Sequence, residues 1–243
     1  MNPSTLCFDF GNTRLKAALF VDAVLEELIF LDDESPGSVK ALIDRLHPQN
    51  TILASVIEHD PIIEELLSSQ TKFLKLTHLA KLPFTIAAAK PETIGPDRLA
   101  LAAAAVDFYP GKNNLVIGLG TCITYNFINK YHQFIGGAIS PGLEMRLRAL
   151  HHFTAKLPLV TAEWNVPLIG YDTNTHILSG VIIGMAKEID GIVNAYEEKF
   201  SNFNVLLTGG DMDILGTHLK KNVFADPELM FKGLYAIAES NRF

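Results

Sequence analysis

Three glycine-marked turns and one acidic helix start carry the side chains of this sequence that could do chemistry. The first turn is Asp9-Phe10-Gly11-Asn12-Thr13-Arg14-Leu15-Lys16. A carboxylate closes an apolar run, Gly11 and Asn12 suit the positive φ angles of a tight hairpin, and Thr13 adds a hydroxyl and an N–H. Such a turn can aim backbone N–H groups at a phosphate while Asp9 holds a hydrated Mg²⁺ beside it. The same residues also make an ordinary hairpin, and short motifs match by chance. The second turn, Gly118-Leu119-Gly120-Thr121-Cys122-Ile123-Thr124, repeats the logic of strand, glycine turn with hydroxyls, and strand. The third, Leu207-Thr208-Gly209-Gly210-Asp211, joins a strand to a helix, where adjacent glycines let a nucleotide come close to the backbone.

The acidic helix start is Gly95-Pro96-Asp97-Arg98. Proline suits the first helical position, and an acid in the first turn is favoured by the helix dipole without any function. The neighbouring Arg98 adds a second reading. Asp97 could accept the proton of a substrate hydroxyl while Arg98 engages an anionic group. In phosphoryl transfer through a loose transition state, such an Asp mainly orients the nucleophile and need not be strongly basic.

The elements that must position these residues follow from the hydrophobic period. Leu6–Phe10, Arg14–Phe20 and Val24–Phe30 read as three strands joined by short turns. Ser38–Leu46 and Pro61–Ser68 are helical, with short strands at Thr51–Val56 and near Lys72–Leu76. Leu82–Glu92 holds two prolines and no period, which predicts a loop, and Pro96–Tyr109 is a strong helix. The pattern then restarts. Strands at Asn114–Leu119, Cys122–Ile128 and Gln133–Ala138 precede helices at Gly142–Phe153 and Thr173–Phe200. A strand at Val205–Thr208 and helices at Asp211–Leu219 and Pro227–Ser240 finish it. Two βββαβα halves predict an α/β chain of two lobes, 1–111 and 112–243, each a mixed sheet flanked by helices, with the last helix packing back on the first lobe. The first two turns hold the same place in their halves.

Composition narrows the function classes. With 48% hydrophobic and 19% charged residues among 243, the chain has enough apolar side chains for a real core. Its net charge of −7 and lack of a dense Lys/Arg run argue against nucleic acid as a partner. No apolar run approaches the ~20 residues of a membrane span. Cys7 and Cys122 fall in strand-like runs and suggest no disulfide framework, and no basic start leads into an apolar stretch, so the expected compartment is the cytoplasm. The pair His151–His152 has no matching carboxylate cluster and reads as structural or as part of an interface. Trp164 and the phenylalanines read as core. The apolar face of the Thr173–Phe200 helix suits a subunit interface.

In this order, DFGNTRLK, IGPDR, GLGTCITYNFI, GGAISPGLEMRLRALHHFTAKLP, TNTHILSGVIIG and LLTGGD resemble the type III pantothenate kinases. The resemblance spans the whole chain and is most specific from Gly136 to Pro158. It implies two ribonuclease-H-like, actin-like ATPase lobes and ATP-dependent 4′-phosphorylation of pantothenate, the first step of coenzyme A synthesis. It further implies that Asp9 to Lys16 bind ATP phosphates and that Asp97 is the proton acceptor. Gly95 to Arg98 bind pantothenate in this reading, Thr121 contacts the nucleotide, and Thr173 lines a pantothenate pocket completed across a homodimer, while the glycine turns themselves add Gly120, Gly209 and Gly210 as expected nucleotide contacts. Three positions depart from the family. Gly118 stands where the family has an Asp that helps bind K⁺ or NH₄⁺, so no ligand for that cation carries over. Asn126 stands where a carboxylate is common, and Ala88 where a substrate-facing Tyr is frequent. Alternatives are another small-molecule kinase of the same superfamily, or a catalytically weak regulatory member that binds nucleotide.

Overall fold

The computed structural model describes residues 3–241. In chain order the elements are β1 (Ser4–Phe10), β2 (Leu15–Val21), β3 (Val24–Leu31), α1 (Pro36–Leu46), β4 (Asn50–Ser55), α2 (Pro61–Gln70), β5 (Lys72–Lys75), β6 (Thr85–Ile86) and α3 (Pro96–Phe108). There follow β7 (Asn113–Leu119), β8 (Cys122–Ile128), β9 (Gln133–Pro141), α4 (Leu143–His152), α5 (Thr173–Leu178), α6 (Gly184–Lys199), β10 (Phe203–Gly209), α7 (Met212–Leu215), β11 (Phe224–Ala225) and α8 (Leu229–Ser240). The chain forms two compact units. One takes the residues up to Pro110 together with His132–Phe134 and those from Glu228 onward; the other takes Gly111–Tyr131 and Ile135–Pro227.

The first unit is built on a sheet of order β3-β2-β1-β4-β5. β1 pairs antiparallel with β2 and parallel with β4, so a hairpin meander gives way to crossover connections through helices. β1 is buried along almost its whole length, as expected for a strand covered on both faces. Leu6, Phe8, Phe10, Leu53, Val39 and Ile63 form the core beneath α1 and α2. On the other side lie α3 and α8. Helix α3 is alanine-rich and buries every residue from Leu99 to Val106. The small side chains let α8 approach so closely that a Cβ on Gly233 would lie 1.9 Å from the Ala100 carbonyl oxygen.

The second unit repeats the same strand order, with β9, β8, β7, β10 and β11 in the places of β3, β2, β1, β4 and β5. β7 is antiparallel to β8 and parallel to β10, matching β1 with β2 and β4. Its core gathers Leu115, Ile117, Tyr125, Leu147, Ile182, Ile189 and Leu207. The predicted long helix is interrupted: between α5 and α6 the segment Ser179–Ile183 winds as a π-helical turn. In the predicted loop 82–92 the structure has the two-residue strand β6 and a 3₁₀ turn at Pro91–Thr93. β6 pairs with the start of β9, Thr85 with Gln133 and Ile86 with Phe134. The expected helix from Asp211 to Leu219 is shorter, α7 followed by a 3₁₀ turn at Gly216–His218.

Candidate active site

Asp9 is the penultimate residue of β1 and lies across the hairpin from Lys16, its register partner on β2. Its carboxyl is pushed up to about 6, first by burial and further by the charge of Asp97, with Lys16 pulling the other way. Asp9 stands at the C-terminal end of β1, the central strand of the sheet, and Asp97 opens α3 in the same unit. Between β1 and β2 the hairpin closes through the Gly11 N–H donating to the Arg14 carbonyl at 3.2 Å. Neither Gly11 nor Asn12 takes the positive φ expected of them. Glycine serves a different purpose here, because a Cβ on Gly11 would sit 3.1 Å from the Arg14 oxygen. The loop leaves Asn12, Thr13 and Arg14 exposed.

Asp97 occupies the first turn of α3, after Gly95 as N-cap and Pro96. Burial raises its pKa, while the Arg98 and Asp97 backbone N–H groups and the Arg98 charge oppose that rise. Gly95 has φ −59°, open to any residue, yet a Cβ there would come within 2.4 Å of Asp97 Oδ1. The missing side chain is therefore the space that the carboxylate occupies. The Arg98 guanidinium lies 5.6 Å from the Phe134 ring centroid, in a cation–π contact that fixes its stem. Asp9, Lys16, Asp97 and Arg98 all belong to the first unit.

The second and third turns belong to the other unit, and there they are neighbours. Gly118 pairs with Thr208 and Leu119 with Gly209 in the parallel β7–β10 ladder. Gly209 has φ +114°, and a Cβ on it would lie 2.0 Å from the Leu119 carbonyl oxygen. The Gly142 N–H donates to the Thr121 carbonyl at 3.0 Å, and a Cβ on Gly142 would strike the Gly120 oxygen at 2.1 Å. The most specific sequence run thus has a physical reason: its glycine seats the start of α4 against the second turn. Asn126 is fully buried, donating from Nδ2 to the Val116 carbonyl and to Thr124 Oγ1, both at 3.2 Å. A carboxylate has no proton for that carbonyl, so this departure from the family is a core amide.

Thr173 opens α5 behind a capping box made by Asp172 and Thr175. It lines a groove of about 920 Å³ with Arg146, Leu150, Phe153, Leu157 and His176, and none of the turn residues line it. Beside the groove lies a network that the sequence did not signal, since its members are far apart along the chain. Arg146 donates to Glu188 at 2.5 Å and to Ser140 at 2.8 Å, and the buried Tyr125 hydroxyl donates to Glu188 at 3.2 Å. Burial works against ionisation of Glu188, but the bonds from Arg146, Ser140 and Tyr125 prevail and hold it below the usual range.

Among the described residues no group of three or more His, Cys, Asp or Glu is placed to hold a metal. His151 Nδ1 lies 2.7 Å from the Leu157 carbonyl, a structural tie. Trp164 is 65% exposed and Phe153 82%, so the expectation of core roles fails for both. They lie on or near the long segment between α4 and α5, which has no strand or helix to cover them.

The family model described as type III pantothenate kinase matches residues 5–195. The chain belongs to the type III pantothenate kinase family. A type III pantothenate kinase of Christiangramia forsetii is 43% identical over 98% of this chain and 98% of its own. One of Bacteroides fragilis is 42% identical over 97% and 98%. Among solved structures, a Baf family transcriptional activator from Campylobacter jejuni aligns with TM-score 0.63 at 21% identity, over 97% of this chain and 98% of its own. A glucokinase from an Antarctic psychrotroph aligns with TM-score 0.54 at 12% identity, over 99% and 100%. At these identities the two structures show the fold alone, an α/β fold with two mixed sheets flanked by helices, as the paired βββαβα halves predict.

Proposed function

We propose that the chain transfers the γ-phosphoryl group of ATP to the 4′-hydroxyl of pantothenate, the opening step of coenzyme A synthesis, with Asp97 as the proton acceptor. Its main support at the site is the pair of acids that the first unit carries, Asp9 at the C-terminal end of the central strand β1 and Asp97 in the first turn of α3, both raised by burial. Asp97 accepts the hydroxyl proton as the new O–P bond forms, and the bond from γ-phosphorus to the bridging oxygen breaks with its electrons leaving on ADP. Arg98 offers a cation to the pantothenate carboxylate. Backbone N–H groups of the exposed 12–14 stretch of the hairpin donate to phosphate oxygens, with Lys16 as a nearby positive charge. Gly120, Thr121, Gly209 and Gly210 line the nucleotide, and Thr173 faces pantothenate.

Mg²⁺ suits this site because it binds through one or two carboxylates and substrate phosphates and keeps its waters. A buried acid beside a second acid, with no richer ligand cluster among the described residues, is such a donor set. Asp9 would hold the ion through water, and the ion would neutralise charge on the transferred phosphoryl group. For K⁺ or NH₄⁺, Gly118 supplies no side-chain oxygen, so weak or altered activation by these ions is expected. The proposed assembly is a cytoplasmic homodimer. Among the described residues no helix is long and apolar enough to cross a membrane.

A coupled ADP-release assay with purified protein, Mg·ATP and pantothenate is the direct test. Absence of pantothenate-dependent turnover, with and without K⁺ or NH₄⁺, would overturn the assignment.

A further inference from the structure

A buried histidine packs against Phe10, the residue after Asp9. The His59 side chain is 6% exposed and follows β4 in the turn that leads into α2. Its Nδ1 lies 3.0 Å from Ser55 Oγ and its Nε2 lies 3.0 Å from Glu64 Oε1. Glu64, on α2, also accepts from Lys75 Nζ at 2.6 Å, at the end of β5. Burial opposes ionisation of Glu64, but Lys75 and His59 together hold its pKa below the usual range. The ring is therefore tied through Nδ1 to β4 and through Nε2 to α2, whose Glu64 is in turn bonded to β5 by Lys75. A doubly tied ring in a buried place cannot rotate without breaking a charge-assisted bond.

What the ring touches gives it a possible task. Its edge packs on Phe10, with centroids 5.9 Å apart and planes at 85°. Phe10 is the residue after Asp9. The same turn continues the β1–β4 ladder, because the Val56 N–H donates to the Phe10 carbonyl at 3.0 Å. Val56 Cγ1 in turn lies 4.0 Å from where a Cβ of Gly95 would be, under Asp97. The Ser55–His59 turn thus leans on the backbone beside both acids.

A serine, a histidine and a carboxylate in a row invite comparison with a nucleophile relay. Ser55 does not fit that role. Its hydroxyl also lies 3.0 Å from the Ile57 carbonyl and 3.4 Å from the Ile57 N–H, inside its own turn. The bonds close a tight turn and aim nothing outward.

We propose that His59 is a positioning residue for the Asp9 carboxylate, held by Ser55 and by the Glu64–Lys75 pair and acting through Phe10. This rests on the reading of Asp9 as the acid that meets Mg·ATP. Loss of the ring would free Phe10 to move and let Asp9 drift from its place. A displacement of ~1 Å can cost ~10²-fold in rate, so a tenfold loss corresponds to a smaller shift.

The experiment compares wild type with His59→Ala, Glu64→Ala and Glu64→Gln. Calorimetry measures ATP affinity with and without Mg²⁺, kinetics measure kcat and the pantothenate KM, and thermal melts report folding. In His59→Ala the gain in ATP affinity on adding Mg²⁺ should shrink and kcat fall about tenfold, with pantothenate KM within twofold. Glu64→Ala should show the same pattern more weakly, and Glu64→Gln, whose amide oxygen still accepts from Nε2, should stay near wild type. A His59→Ala protein that melts lower but keeps both the Mg²⁺-dependent gain and kcat would overturn the proposal. If that variant does not fold, an unchanged Mg²⁺-dependent gain in Glu64→Ala does so instead. Because calorimetry needs no pantothenate, it decides the matter even if wild type fails to phosphorylate pantothenate, which would count only against the substrate assignment.

Discussion

Asp97 is held over a residue that has no side chain, and that vacancy makes the acid–base reading testable in two ways. Replacing Asp97 by Asn removes the proton acceptor and keeps the shape, so turnover should fall by at least ~10²-fold with an unchanged melting temperature. Steady-state kinetics and a thermal melt check this, and near-wild-type turnover would reduce Asp97 to a helix-end acid. Gly95→Ala asks the same question by displacement. The backbone at Gly95 accepts alanine, but its Cβ would sit 2.4 Å from Asp97 Oδ1 and push the carboxylate aside. The expected result is a loss of kcat approaching ~10²-fold with little change in stability, read by the same two measurements. The acid limb of the rate profile carries a third prediction. With Asp9 raised from an ordinary 3.8 to about 6, it loses the charge needed for Mg²⁺ as pH falls through about 6, so activity should decline there. Saturating Mg²⁺ should move that limb lower, since a cation favours the ionised form. Stability runs in the opposite sense. A carboxyl whose folded pKa is raised stabilises the fold below its unfolded value, and that contribution is lost as pH rises through about 6. Melting the Mg²⁺-free protein across this range separates the two effects.

Helices α3 and α8 show how close packing can hold the helix that carries Asp97. With Gly233 against the Ala100 carbonyl, any side chain there forces the helices apart. Gly233→Val should cost ~1–3 kcal/mol, measured by denaturant unfolding, and an unchanged midpoint would mean that the pair is loosely packed. Much of this architecture was legible beforehand. The three-strand openings, the crossover strands and the Pro96 helix start all follow from period and punctuation, because long buried runs leave strong patterns. Strands of two residues leave none, so β6 and β11 were missed. The π-helical turn at Ser179–Ile183 also escaped, as one extra residue hardly alters an apolar face. Among the candidate site residues, Asp9 at a strand end, Asp97 at a helix start and the glycine turns stand out in the sequence by residue type and position alone. The ties of His59 to Glu64 and of Arg146 to Glu188 could not, since they join helices and strands whose meeting only the fold decides. Trp164 was misread for a similar reason: aromatic character predicts burial only where an element exists to cover it.

Each unit places its glycine turn at the end of its central strand, β1 in one and β7 in the other, so the chain uses a single topological plan twice. The second unit also carries an open apolar groove beside Thr173 whose rim includes the 82%-exposed Phe153. Leu150, Leu157, Ile177 and Val181 line the same groove. Large exposed apolar surface of this kind marks an interaction site, and the proposed occupant is a second copy of the chain, as the family resemblance implies. Light scattering should then give twice the chain mass. Phe153→Asp would place a charge in the groove without touching the buried core, so the variant should dissociate to monomers while keeping its helical content. Because Thr173 shares the groove, dissociation should also raise the pantothenate KM and leave the ATP KM nearly unchanged, the nucleotide turns lying outside it. A Phe153→Asp protein that remains a dimer with unchanged pantothenate KM would separate Thr173 from the subunit contact and leave this groove without its proposed partner.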